Sequence, residues 1–300
     1  MGRLRAIVLG SAAGGGYPQW NCRCDVCRLA WEGDPRVKPR TQASLAVTAD
    51  GRNWTLLNAS PDLRAQIAAT PALHPRGKRE SPISAVVLTG GEIDQIAGLL
   101  HLRESARFSL FGTGATQAAL DANPVFRALA PEHVERQAVT LDTDFELAGG
   151  VSATLFAVPG KVPLYRESEH PDLIAINGEN AGVELRAGGA VLIFIPGAAA
   201  LNDELRKRIA RADVLLFDGT LFDDDEMIRM GLGTKTGLRM GHMPIYGAAG
   251  SLVALRDLRG RRIYVHINNT NAMLIDKSAE RRAVEAAGVE VAYDGMEIVL

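Results

Sequence analysis

Val86-Val87-Leu88-Thr89-Gly90-Gly91-Glu92-Ile93-Asp94-Gln95-Ile96-Ala97-Gly98-Leu99-Leu100 changes character twice along its length. Val86 to Leu88 is an unbroken apolar run, as a strand buried on both faces requires. Thr89 to Glu92 breaks it with glycine and polar groups. From Ile96 the apolar residues return at three- and four-residue spacing, the mark of a helix with one buried face. A buried strand that passes through a polar turn into a helix is the unit of an α/β fold, and here the turn carries two carboxylates, Glu92 and Asp94.

Outward from this unit the same signals recur. Strands are expected at 4–9, 44–48, 54–58, 85–89, 108–111, 152–157, 181–186, 190–195, 214–217, 262–266 and 290–293, with Asp50-Gly51 and Gly188-Gly189 as turns. Helical spacing is expected over 61–68, 96–104, 113–122, 199–210, 245–255 and 278–287. Strands near both ends of the chain, with helices dispersed between them, predict two packed sheets with helices outside, a four-layer αββα sandwich. The 300 residues are read as one domain, 1–300. Residues 161–179, with Pro163, Pro171 and several charges, read as a long exposed loop covering a site.

Composition excludes several functions. With 33 basic and 35 acidic residues and no long basic run, the chain lacks the footprint of a nucleic-acid binder. No stretch approaches the ~18 apolar residues of a membrane span. The first residues lack the long apolar core of a signal peptide, so a cytoplasmic location is expected.

All three cysteines, Cys22, Cys24 and Cys27, lie within one short stretch that reads as a loop. Thiolates so spaced converge on one metal, and a structural zinc with one further ligand from elsewhere is the expected occupant. Cys24-Asp25-Val26-Cys27 has the bare C-x-x-C spacing but not the context of a redox pair.

Thr89, Asp94, Gly98 and Leu99 match the T-H-x-H-x-D-H-x-x-G-L signature of the metallo-β-lactamase superfamily, whose histidines are replaced here by Gly90, Glu92 and Gln95. Leu215 to Thr220 resembles the strand that ends in the superfamily's metal-bridging Asp, here Asp218. Gly241-His242-Met243-Pro244 and Tyr264 to Asn271, with His266, complete the order. Further stretches, at 10–16, 18–24, 58–62 and 158–163, resemble the coenzyme PQQ synthesis protein B family over essentially the whole chain.

Hydrolytic members of the superfamily assemble five or more His and Asp ligands around two zinc ions. The first motif here has no histidine, and Lys161 stands near where another would be expected, so a dinuclear hydrolase is disfavoured. Asp218, His242 and His266 remain as the expected catalytic and metal-ligating residues, with Glu92 and Asp94 as additional carboxylates. Two imidazoles and a carboxylate form the ligand set of mononuclear non-haem iron centres. Glu92 and Gln95 are equally suited to cap a helix N-terminus.

The resemblance implies an iron-dependent hydroxylase acting on the tyrosine of a cross-linked Glu-Tyr species derived from a precursor peptide, in the synthesis of pyrroloquinoline quinone. It also makes Asn269, three residues after His266, the candidate fourth zinc ligand, and Lys161 and Arg64 candidates for binding substrate carboxylates. Expected partners are the small-molecule or peptide-derived precursor, other proteins of the same pathway and a second copy in a homodimer, with no nucleic acid and no membrane insertion. The rival readings are a carrier that moves the quinone or its precursor towards the periplasm, and a residual zinc hydrolase.

Overall fold

Short hydrophobic runs pair into two seven-stranded sheets in the computed structural model, which describes residues 2–300. In chain order the strands are β1 (Arg5–Gly10), β2 (Ser44–Thr48), β3 (Trp54–Leu57), β4 (Ile83–Val87), β5 (Phe108–Thr113), β6 (Val134–Val139) and β7 (Asp144–Leu147). They continue as β8 (Val151–Ala157), β9 (Ala181–Ala187), β10 (Ala190–Ile195), β11 (Val214–Asp218), β12 (Arg261–Val265), β13 (Val289–Val291) and β14 (Glu297–Val299). One sheet runs β14-β1-β2-β3-β4-β5-β6 and the other β13-β12-β11-β10-β9-β8-β7.

Each sheet is antiparallel on one side and parallel on the other. In the first, β3 to β6 run parallel, and in the second, β10 to β13 do. Parallel strands place their carboxyl ends along one edge, where open α/β sheets bind ligands. Asp218, at the end of β11, and Asp94 and His266, which follow β4 and β12, all lie at such ends.

The sheets face one another through a shared apolar layer in which Leu45, Leu57 and Val87 meet Leu155, Val183, Phe194, Leu216 and Val265. The outer face of the first sheet is closed by Leu63, Ile96, Leu99 and Leu120 from the helical segments. Leu205, Ile209 and Val284 cover the second. Burying side chains of this size stabilises by about 1.5–3 kcal/mol each, which is why strands apolar on both faces demand helices outside them. The αββα sandwich is therefore the observed architecture.

The differences from expectation have local causes. Strands β6, β7 and β14 escape the sequence reading because their side chains alternate between buried and exposed with polar residues such as Glu135, Arg136 and Glu297. The helix expected over 245–255 is only Ser251–Ala254, since Gly247 takes a φ of 97° and a Cβ on Gly250 would lie 2.4 Å from the Ile245 carbonyl oxygen. The helix expected over 96–104 is a turn of α-helix, Ile93–Ile96, followed by the 3-10 segment Ala97–Leu102. Among the described residues, no helix is long and apolar enough to cross a membrane.

Gly98, one of the motif residues, is required by close packing. Its N–H donates to the Ala59 carbonyl at 2.8 Å, and a Cβ would lie 2.0 Å from the Ser60 carbonyl oxygen. Gly98→Ala must therefore move backbone, and a loss of roughly 1–3 kcal/mol is expected from overpacking. Chemical denaturation measures it, and an unchanged midpoint would show that this contact relaxes freely.

Candidate functional site

Asp218 is the last residue of β11 and is fully buried. Its carboxylate accepts the Ala198 N–H at 2.8 Å, the Thr220 N–H at 3.0 Å, the Thr220 hydroxyl at 2.6 Å and His242 Nδ1–H at 2.7 Å. These donors outweigh burial, which alone would raise its pKa, and with the charges of His242 and His266 they keep the acid below its ordinary value. His242 follows the short helix Gly237–Met240, whose left-handed cap Gly241 turns the chain into the cleft. With Nδ1 fixed on Asp218, Nε2 becomes the donor nitrogen of His242.

His266 directly follows β12 with a φ of 59°, a left-handed conformation costly for a residue with a Cβ. Its Nδ1–H donates to Thr220 Oγ1 at 2.8 Å, and Nε2 lies 2.8 Å from Asp94 Oδ2. Burial opposes its charge, yet the hydrogen bond and charge of Asp94, with the charges of Asp218 and Glu92, raise its pKa above the usual histidine value. Asp94, only partly exposed, is correspondingly lowered by His266 and His242. The two imidazoles stack with centroids 5.2 Å apart.

Asp218, His242 and His266 each bring a ligand atom within 4.8 Å of the others, and Asp94 joins them through His266. Two nitrogens and ionised carboxylate oxygens suit a borderline or hard divalent ion. His266 Nε2 and Asp94 Oδ2, 2.8 Å apart, are now joined by a shared proton. Ligands on a common ion at ~2.1 Å sit roughly 3 Å apart, so an ion could replace that proton with little movement of the chain.

Glu92 points elsewhere. It is the N-cap of Ile93–Ile96, its N–H bonded to Gln95 Oε1 at 3.2 Å, and its carboxylate lies 3.3 Å from Lys161 Nζ. Glu92, offered by the sequence as a metal ligand, is thus engaged by an ammonium ion. Lys161 and Glu92 form an ion pair.

Both ends of this constellation line a cleft of about 780 Å³, with Ile93, Leu164, Tyr165, Met227 and Met240 as apolar wall. The 161–179 segment does border it, through Lys161, Leu164, Tyr165 and Glu167. Arg64 does not: it lies exposed on the helix Leu63–Ala69, away from the cleft lining, because that helix turns its buried Leu63 and Gln66 inward. Its assignment to substrate carboxylates is corrected accordingly.

The cysteine stretch is not all loop. Cys24 is the N-cap of the helix Asp25–Trp31 and accepts the Cys27 N–H at 3.4 Å, while Cys22 Sγ accepts the Cys24 N–H at 3.5 Å. The three sulfurs lie within 4.8 Å of one another. Asn269 reaches them as anticipated, but with its main chain: its carbonyl oxygen lies 3.9 Å from Cys24 Sγ and 3.8 Å from Cys27 Sγ, while its side-chain amide donates to Cys27 Sγ at 3.2 Å. A tetrahedral zinc with ~2.3 Å bonds to sulfur spaces its corners roughly 3.8 Å apart, so the donors fit that ion. The Cys24 hydrogen bond and that of Asn269 lower the pKa of Cys27, marking it as the first thiolate.

Sequence reasoning passed over Thr220, whose hydroxyl touches Asp218, His242 and His266. The only hint was its place two residues after the strand-end Asp. Glu167, and the Lys235 and Arg239 that join Lys161 around it, were also missed.

A Beta-lactamase superfamily domain matches residues 53–267. The coenzyme PQQ synthesis protein B of Methylobacterium sp. (strain 4-46) is 56% identical over 99% of this chain and 100% of its own. That of Rhizobium meliloti (strain 1021) is 54% identical over 99% of this chain and 98% of its own. The crystal structure of Zn(2+)-bound PqqB from Methylobacterium extorquens superposes with a TM-score of 0.97 at 53% identity, covering 99% of this chain and all of that one. A diphosphatase from the PhnP family, 20% identical with a TM-score of 0.68 over 99% of this chain and 97% of its own, shares the fold.

Beneath the His266 loop, Glu226 accepts the Phe222 N–H at 2.9 Å and the Thr270 hydroxyl, and burial pushes its pKa up to about 7. An unfolded glutamic acid titrates near ~4.3. The folded state therefore binds the extra proton between those values, and its stabilisation, complete at low pH, is lost as pH rises through 7. Between pH 5 and 8 the wild type is expected to lose roughly 2–3 kcal/mol relative to Glu226→Gln. Urea midpoints of both proteins at the two pH values test this, and parallel pH profiles would refute it.

Proposed function

The chain belongs to the coenzyme PQQ synthesis protein B family of the β-lactamase superfamily, and from that premise we propose that it works in the synthesis of pyrroloquinoline quinone, as an iron- and oxygen-dependent hydroxylase of the tyrosine ring of a Glu-Tyr precursor. The observation that carries this reading is the convergence of Asp218, His242, His266 and Asp94 at one end of the cleft, beside a Lys161–Glu92 ion pair. That pair removes donors a second ion would need, which disfavours two-metal hydrolysis.

An iron ion held by this set would supply the activation of dioxygen. The chain's own groups do the rest. Asp218 orients His242, and Thr220 fixes the His266 ring, so both imidazoles are set before substrate arrives. Asp94 holds the Nε2 side of His266 through a 2.8 Å hydrogen bond, and that nitrogen would have to give up its proton to hold an ion. The apolar wall receives an aromatic ring, and Lys161 offers charge to a carboxylate. The Zn(2+)-bound relative supports zinc as an ion of this family, and the soft sulfur donors of Cys22, Cys24 and Cys27, with the Asn269 carbonyl, are the set we assign to it.

Elemental analysis after anaerobic iron loading tests the assignment. The wild type is expected to hold one zinc and one iron. The Asp218→Ala, His242→Ala, His266→Ala variant should keep the zinc, lose the iron and lose hydroxylation of the precursor given dioxygen and a reductant, and Cys27→Ser should lose the zinc. No specific iron in the wild type, with the quinone or precursor bound and unconverted, would replace the hydroxylase by a carrier, and turnover with two zinc ions would restore the hydrolase.

A further inference from the structure

Three cations converge on one carboxylate beside the metal-ligand cluster. Glu167 lies 2.8 Å from Lys161 Nζ through Oε1, and its Oε2 lies 3.5 Å from Lys235 Nζ and 3.2 Å from the Arg239 guanidinium. The side chains of Lys161 and Glu167 are only 9% and 8% exposed, so this is an interior cluster and not a solvated surface pair. Glu167 Oε1 is buried and takes no well-directed hydrogen bond, only the ionic contact. Lys161 also faces Glu92, leaving three cations against two carboxylates.

The cations and the carboxylate are held differently. Lys161 follows β8 and lies across Gly241, whose missing Cβ would stand 3.2 Å from Lys161 Cγ. Lys235 directly precedes the N-cap of the helix Gly237–Met240 and Arg239 lies within it, and that helix is capped by Gly241 and delivers His242. Glu167 instead caps a single 3-10 turn, Leu164–Arg166, in a segment without regular strands or α-helices before β9, and is followed by the exposed residues 168–170. Moving one turn withdraws it, whereas moving the cations would disturb His242.

We infer that Lys161, Lys235 and Arg239 form a carboxylate-binding subsite, which Glu167 fills from within and which a carboxylate of an incoming aromatic polycarboxylate takes over by displacing it. A ligand carboxylate replaces Glu167 charge for charge, so the largely buried Lys161 is never left facing Glu92 alone. With Glu167 withdrawn, three cations face only Glu92, an excess suited to a ligand bearing more than one carboxylate. The apolar wall of Leu164, Tyr165 and Met240 then accepts the ring. The aromatic class of the ligand rests on the proposed function, but the subsite rests on the charges alone. Glu167 thereby acts as a built-in competitor that sets a threshold on ligand charge.

Calorimetric titration of the zinc-containing full chain with pyrroloquinoline quinone, and with benzene-1,3,5-tricarboxylate as a ring that cannot react as a quinone, tests this. Glu167→Gln is expected to tighten both ligands several-fold, and the Lys235→Ala, Arg239→Ala double variant to weaken both at least tenfold. Lys235 and Arg239 are partly exposed, so the double variant is expected to fold, and circular dichroism checks it. Weaker or unchanged binding by Glu167→Gln, undiminished binding by the double variant, or no binding by wild type and Glu167→Gln alike overturns the subsite. Binding of the predicted pattern in a protein that never hydroxylates would sink the oxygenase and leave the subsite standing.

Discussion

The Asn269 carbonyl, directed at Cys24 and Cys27, ties together parts of the molecule that are far apart in sequence. It belongs to a strap, His266-Ile267-Asn268-Asn269-Thr270-Asn271, whose first residue enters the cleft and whose fourth reaches the cysteines. Ile267 N–H donates to the Ser11 carbonyl, and the Ile267 carbonyl accepts Ala13 N–H, so the strap is also stitched to the glycine loop. Asn271 donates to the carbonyls of Gly219 and Thr220, holding the turn that follows Asp218. A left-handed backbone at His266 costs of order 1–3 kcal/mol and persists only because these contacts over-determine it. A metal at the cysteines would thus act on the cleft by stiffening the strap, without touching a substrate.

The second organising force is electrostatic. The buried Asp218 and the partly exposed Asp94 are held ionised because His242 and His266 stand against them, and Glu167 is held below the usual carboxylate range, against burial, by Lys161, Arg239 and Lys235. Buried ion pairs seldom stabilise a fold over apolar packing of the same volume. Their concentration along one cleft suits charged ligands in the proposed reading: a proton at His266 that an ion would replace, and a carboxylate among the cations that another carboxylate would replace. Both ends of the cleft keep their charges compensated by an internal stand-in.

Much of this was legible in the chain. Apolar runs ending in polar turns located β4, β11 and β12, since burial on both faces leaves a strand no other composition. The cysteine spacing identified a metal site, because three thiolates so close have few other uses. Edge strands were missed where one face meets water, and Arg64 was misplaced because its charge says nothing about which side of a helix it occupies.

The layers, the strand ends from which chemistry could be presented and the identities of the sulfur and imidazole donors are written in the chain, since all follow from local periodicity and residue type. That Asn269 meets the cysteines with its carbonyl, that Thr220 joins both histidines and that Glu167 sits among Lys161, Lys235 and Arg239 emerges only on folding. Apart from Lys161 and Glu167, those contacts join residues tens to hundreds of positions apart, and no local pattern encodes a distance that is set by the packing of two sheets.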